Sequence, residues 1–285
     1  MRCWSRRSAP STRSASTSRT AHAALVLGLK GEKGSFSGYE VAPTIRFAWT
    51  PTPRTTAWAA VSRAVRTPVR IDEDLVIRLN GINFFEANDD FQTETALAYE
   101  LGVRHRPVSA LTFDLSTFAY RYDHLRSAEP AGAAPVPLTF KNGLDARSYG
   151  AELTLMYQPL PRLSFKGSYR FLDLDFSKDP GSRDTSNGSS EGNDAKHVAI
   201  LGAHVNLPRN FELDAFLRHA SALPKPALPG YTTMDARVGW RTSKGFEISL
   251  WGRNLLDRQF PEFLTTNSLN EQVHRRGALK LTWRP

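Results

Sequence analysis

Residues Tyr231 to Phe263 read YTTMDARVGWRTSKGFEISLWGRNLLDRQFPEF, two alternating strands joined by a tight turn and followed by Asn-Leu-Leu-Asp and an aromatic-rich exit. In the first strand Met234, Ala236, Val238 and Trp240 share one face, while Asp235, Arg237, Gly239 and Arg241 share the other. That period of two is the signature of a strand between two media. The turn is confined to Thr242–Lys244. In the second strand Phe246, Ile248 and Leu250 oppose Glu247, Ser249 and Arg253, with Trp251 as the one aromatic on the charged side. A soluble sandwich would turn the charged face to bulk water. An outer-membrane barrel would turn it to a wet lumen and the apolar face to lipid. One hairpin fits both, so the choice depends on the rest of the chain.

Working backwards, the same alternation recurs. Leu25, Leu27 and Leu29 form one face, as do Ile45, Phe47 and Trp49. Leu97, Tyr99, Leu101 and Val103 oppose Ala98, Glu100, Gly102 and Arg104; Tyr149, Ala151, Leu153, Leu155 and Tyr157 oppose Ser148, Gly150, Glu152 and Thr154. Strands follow at Leu163–Phe171, Leu201–Leu207, Leu213–Leu217 and Gly277–Trp283. The strand opening with Leu111, Phe113 and Leu115 switches its apolar side towards Phe118, Tyr120 and Tyr122, which suggests a bulge or an aromatic girdle. The pattern predicts about twelve strands.

The links decide the class. Short turns at 50–55, 106–109, 158–162, 208–210 and 242–244 alternate with polar links at 32–38, 66–91, 126–147, 177–196, 220–230 and 255–271. Short periplasmic turns and long extracellular loops belong to a transmembrane barrel. Trp49, Tyr157 and Trp240 stand near strand ends, as interfacial aromatics do. The expected fold is therefore an all-β, antiparallel transmembrane β-barrel portion of about twelve strands.

Composition supports this and excludes other classes. The 285 residues are 23% charged, and the longest apolar run, Ala23–Leu29, is far short of the roughly 20 residues of a spanning helix. One cysteine, Cys3, excludes an internal disulfide and a multi-cysteine metal site. Of the net charge of +9, Arg2, Arg6, Arg7, Arg13 and Arg19 supply five, leaving +4 spread over the remainder without the basic stripe that nucleic acid requires. Residues 1–22 read as a disordered or spurious leader, and 23–285 as barrel. The histidines His197, His204 and His219 lack metal-ligand spacing, and no Gly-x-Ser-x-Gly elbow appears, so neither a metal, a cofactor nor an enzymatic activity is expected.

Four short pieces carry a family resemblance: Ser62-Arg63-Ala64-Val65-Arg66-Thr67-Pro68, Tyr99-Glu100-Leu101-Gly102-Val103-Arg104, Ser148-Tyr149-Gly150-Ala151-Glu152-Leu153 and Asn254-Leu255-Leu256-Asp257. In this order and with these links, Leu27–Trp283 resembles the C-terminal half of the barrel of a TonB-dependent outer-membrane receptor. The resemblance implies a place in the outer membrane of a Gram-negative bacterium, among outer-membrane lipid. It also implies import of a scarce small molecule, most often a ferric siderophore, powered through TonB. Such receptors have a barrel of about 22 strands plugged by an N-terminal domain. No segment here resembles the plug or its TonB box, so the TonB system is expected to act only through a plug domain outside this stretch. The alternative is a stand-alone twelve-stranded outer-membrane pore or translocator, with an outer-membrane enzyme last.

Two groups of residues are candidates for a site. Asp72, Glu73, Asp74, Asp89 and Asp90 cluster in the longest loop, where they could meet a ligand or simply be solvated; they lack an ordered calcium-loop spacing. Arg63, Glu100, Arg104, Glu152, Arg170, Asp235, Arg237 and Arg253 are expected to face the lumen, where they contact a plug or compensate one another.

Overall fold

The computed structural model describes residues 22–133, 137–184, 186, 188, 193–224, 227–242, 245–262 and 272–283. The proposed leader, apart from His22, and the last nine residues of the exit loop therefore lie outside the described residues. Among the described residues, besides six short strands of two to four residues in the links, twelve long strands follow one another: β1 (His22–Gly34), β2 (Gly38–Thr52), β3 (Thr55–Arg66), β4 (Glu94–Val108), β5 (Leu111–Pro130), β6 (Leu138–Leu160), β7 (Leu163–Lys178), β8 (His197–Leu207), β9 (Phe211–Ala220), β10 (Tyr231–Arg241), β11 (Phe246–Arg253) and β12 (Arg276–Trp283). Each pairs antiparallel with the next in one meandering sheet, and β1 and β12 form its two ends without pairing to each other. No helix among the described residues is long and apolar enough to cross a membrane.

Register places like with like across the sheet. Leu213, Val238, Leu250 and Leu279 form one row across four strands, and Asp214 lies beside Arg237 in the next. The apolar rows stay open: Leu27 is 70% exposed, Leu101 60% and Leu279 74%. A leucine withdrawn from water gains about 1.5–3 kcal/mol, so a face of this kind is stable only against lipid or another apolar surface. The opposite face carries the charges, and its concavity shows in cavities lined by Arg104, Asp114 and Glu152.

Aromatic rings mark two levels on the apolar face. At the short-turn end Tyr157 stacks on Phe165 at 6.3 Å, Phe211 on Trp240 at 6.1 Å and Phe246 on Trp283 at 6.2 Å. Nearer the other end Tyr149, Phe171 and His197 adjoin at 6.0 and 5.3 Å. Amphipathic rings collect at both interfaces of a membrane barrel.

Three expectations need correction. The link expected at 32–38 is a turn of only 35–37, tightened by Gly38 at φ 77°. The link expected at 126–147 is mostly strand, because β5 and β6 run on to Pro130 and from Leu138. Finally, no bulge accompanies the switch at Phe118: pairing with β6 is unbroken from Leu111 to Tyr122, and irregularities begin only beyond it.

These last two share a cause. β6 has 23 residues, where about 9–11 cross a membrane, so it leaves the lipid as a continuous strand. Beyond that level the alternation changes phase. The outer face becomes Arg147, Asp145, Asp173 and Asp175, while the inner face becomes Ala146, Leu144, Leu172, Leu174 and Phe176. Leu144 is 1% exposed and Ala146 2%, forming a small apolar core inside the mouth.

Candidate functional site

The loop between β3 and β4 folds back over that mouth. Its one helical turn, α1 (Arg70–Glu73), buries Asp72. Arg66 Nη2 donates to both carboxylate oxygens of Asp72 at 2.8 Å, the Val69 N–H donates at 3.0 Å and Arg126 Nη1 at 3.3 Å. Glu94, at the start of β4, accepts from the Arg126 backbone N–H at 2.9 Å and lies 3.1 Å from Arg66 Nη1. Further along, Phe85 packs on Phe140 at 4.7 Å, and Asn88 donates to the Phe140 carbonyl at 2.8 Å. The loop is thus fastened to strands β3, β5 and β6.

Electrostatics separate the two buried acids. Burial would raise Asp72, but the hydrogen bonds from Arg66, Val69 and Arg126 outweigh it and hold its carboxyl below the usual range. Glu73 is also buried, and burial together with the charges of Asp89, Asp74 and Asp72 pushes it up. Asp74, Asp89 and Asp90 are exposed. Among the described residues no three acidic, histidine or cysteine side chains form a group able to hold a metal ion.

Seven of the eight residues expected in the lumen lie on the charged face: Glu100, Arg104, Glu152, Arg170, Asp235, Arg237 and Arg253. Arg63 does not. Its register pairs it with Leu97 on the apolar face, and it reaches up to the Val41 carbonyl at 2.5 Å. Near the short-turn end Arg237 bridges Glu212 at 3.0 Å, Asp214 at 2.8 Å and Glu247 at 2.5 Å, with His204 Nδ1 2.6 Å from Asp214. Arg237 and Arg253 also stand 5.6 and 5.9 Å from the Trp251 ring. The odd aromatic on the charged side thus packs against two arginine guanidinium groups of the same wall.

Sequence reasoning missed Arg66 and Arg126 as partners of the loop acids, and it missed the inner-wall aromatics. The switch at Phe118, Tyr120 and Tyr122 was the available signal: these rings line the concave face beside Glu100, to which the Tyr120 hydroxyl donates at 2.8 Å.

An antiparallel sheet with a lipid-compatible outer face, two aromatic levels and an ionised, cavity-bearing inner face is the wall of an outer-membrane-type β-barrel. Residues 11–255 match the family described as TonB dependent receptor-like, beta-barrel, and the chain belongs to that family. Members of this family are outer-membrane proteins of Gram-negative bacteria and act as receptors and transporters. Among solved structures the chain is similar to the siderophore receptor PirA from Acinetobacter baumannii, with TM-score 0.66 and 16% identity over 83% of this chain and 40% of that one. It is similar to the FrpB iron transporter from Neisseria meningitidis, with TM-score 0.69 and 15% identity over 86% and 39%. A third is a ferric enterobactin receptor mutant from Pseudomonas aeruginosa in complex with enterobactin, with TM-score 0.67 and 16% identity over 83% and 38%. The chain therefore spans about 40% of the receptors it matches. No curated protein matches it.

Proposed function

We propose that this chain forms the C-terminal portion of the barrel of an outer-membrane receptor that binds a ferric siderophore at the long-loop end and imports it without chemical change. The observation that carries the reading is the position of a recess of about 420 Å³ in the inner wall, where Leu125, Leu172, Leu174 and Phe176 stand beside Arg66, Glu94, Arg126 and Asp194. It lies at the mouth, beneath the pinned loop, where a ligand arriving from outside first meets the barrel. The siderophore and iron receptors among the structural neighbours support that ligand class. Energy, in this reading, reaches the barrel from TonB through the plug domain that the family uses. The five loop acids then shape and hold the mouth, and the inner-face charges form the wet wall around the plug.

The test is uptake of radio-iron-labelled ferric enterobactin by iron-starved cells expressing the protein from its own locus, against a deletion strain. Import should fall to background when TonB is deleted or a proton ionophore is added. Import that persists without either would instead identify a passive pore.

A further inference from the structure

Every short turn of the sheet carries one basic side chain and no acid. They are Arg54 in turn 50–55, Arg106 in 106–109, Arg162 in 158–162, Arg209 in 208–210 and Lys244 in 242–244, the last lying outside the described residues. The six links at the opposite end hold sixteen acids against twelve Lys and Arg. Turn formation does not demand this sorting, because Pro, Gly and Asn supply the backbone geometry of turns. At Arg209 it opposes it. This residue stands at φ 62°, in the left-handed region that suits Gly or Asn, and its neighbour Asn210 is at the same angle.

The turns are fastened along one rim. The Arg106 N–H donates to the Arg54 carbonyl at 2.8 Å, and Arg54 Nη1 donates to the Pro107 carbonyl at 3.1 Å. Arg106 Nε and Nη2 both donate to the Ser109 carbonyl, at 3.3 and 2.7 Å. These two side chains are thus held in place by neutral acceptors. The Arg162 and Arg209 side chains have no hydrogen-bond or ion-pair partner among the described residues, and none of the four arginines meets an acid there. All four are exposed. One cation per hairpin, two strand spacings apart, gives a row with a step of about 10 Å.

The lipid-facing rings stand directly beside this row. Arg209 is two residues from Phe211, Arg162 three from Phe165 and Arg54 five from Trp49. Trp49, Trp240 and Trp283 are exposed on the outer face at this end. Tryptophan and tyrosine settle at the headgroup level of a membrane, so the arginines just beyond them lie at the level of the lipid phosphates.

We propose that the short-turn rim is a docking surface for anionic phospholipid of the periplasmic leaflet, each arginine taking the phosphodiester of a headgroup. The guanidinium fork matches phosphate oxygens, and cations at a membrane surface draw net-negative lipid towards them. A row that follows the perimeter suits a rim of lipids, whereas a compact acidic protein would call for cations gathered into one patch. The rim fixes the depth of the wall in the bilayer and is independent of the ligand that the receptor imports.

The test is lipid selectivity. The full-length protein, purified from outer membranes in dodecyl maltoside and reconstituted in phosphatidylcholine vesicles, is titrated with brominated phosphatidylglycerol or brominated phosphatidylcholine, and quenching of tryptophan fluorescence gives their relative binding. Phosphatidylglycerol should bind in preference. Replacing Arg54, Arg106, Arg162 and Arg209 together by Gln should lower that preference roughly fivefold, the effect of about one cation beside an anionic headgroup. Arg162→Gln with Arg209→Gln removes only the two side chains that bond to nothing, so it survives any folding failure of the fourfold variant, and it should lower the preference roughly twofold. Arg70→Gln with Arg78→Gln removes two cations from the opposite end and should leave the preference unchanged. The proposal is overturned if the unsubstituted protein shows no preference, if the folded turn variants keep it in full, or if the opposite-end pair lowers it as much as the turn pair.

Discussion

Asp72 lies in a segment that reads as a solvated acidic loop, yet its side chain is fully enclosed between Arg66 and Arg126. Hydrogen bonds to charged groups contribute about 1.5–3 kcal/mol each. Asp72→Asn should therefore speed amide exchange across residues 69–74 by about tenfold or more while leaving β6 unchanged. The pH response follows from two opposite shifts. Asp72 is depressed below its ordinary 3.8, so its contribution is fully present above that value and is lost as pH falls through the depressed one. Glu73 is raised above its ordinary 4.5, so its ionisation costs stability in the fold. That cost is relieved as pH falls through the raised value, completely so by 4.5. Exchange protection of the loop, corrected for the intrinsic pH dependence of exchange, should peak between 3.8 and 4.5. A steady decline from neutral pH to 4.5 would contradict the assignment of Glu73.

At the scale of the strand, β6 carries the clearest contrast between its faces. Leu153 lies midway between Tyr149 and Tyr157 on the lipid side, and Thr154 beside it lines the inner-wall cavity of Arg104 and Asp114. Arginine at the membrane midplane costs about 2–4 kcal/mol on the lipid face of a barrel. Leu153→Arg should therefore abolish or sharply reduce the heat-modifiable folded band in membrane fractions, and Thr154→Arg should preserve it. Equal behaviour of the two would place lipid on the wrong face. Much of this was legible in the sequence, because alternation over Tyr149–Tyr157 needs only local spacing. The phase change at Arg147 and Asp173 was not, since a strand leaving lipid exchanges its apolar side without any turn residue to announce it. The polar outer residues there resemble loop, and that is why residues 126–147 read as a link.

At the scale of the whole molecule, the twelve-strand path has two terminal strands, β1 and β12, with one pairing edge each unmatched among the described residues. Each unsatisfied backbone group in hydrocarbon costs several kcal/mol, so both edges must acquire strand partners in the membrane. In the membrane-inserted protein the edge amides of Leu25–Leu29 and Leu279–Trp283 should exchange as slowly as those around Leu153. Fast exchange at both edges would mean that the sheet stays open and outside the lipid.

The alternation of apolar and polar side chains determined the fold class, the number of strands and the two faces, because all three depend on spacing of two within a single strand. Tertiary structure decided what each inner or edge residue meets. Arg63 turned to the lipid side, Asp72 found Arg126 from 54 positions away, and Phe118 came to lie over Gly150. These are lateral relations set by cross-strand register and by the folding back of one loop. Local periodicity carries no information about either. The hairpin at Tyr231 accordingly announced a charged face from sequence alone, while the ion cluster of Arg237 with Glu212, Asp214 and Glu247 emerged only when β9, β10 and β11 were set side by side.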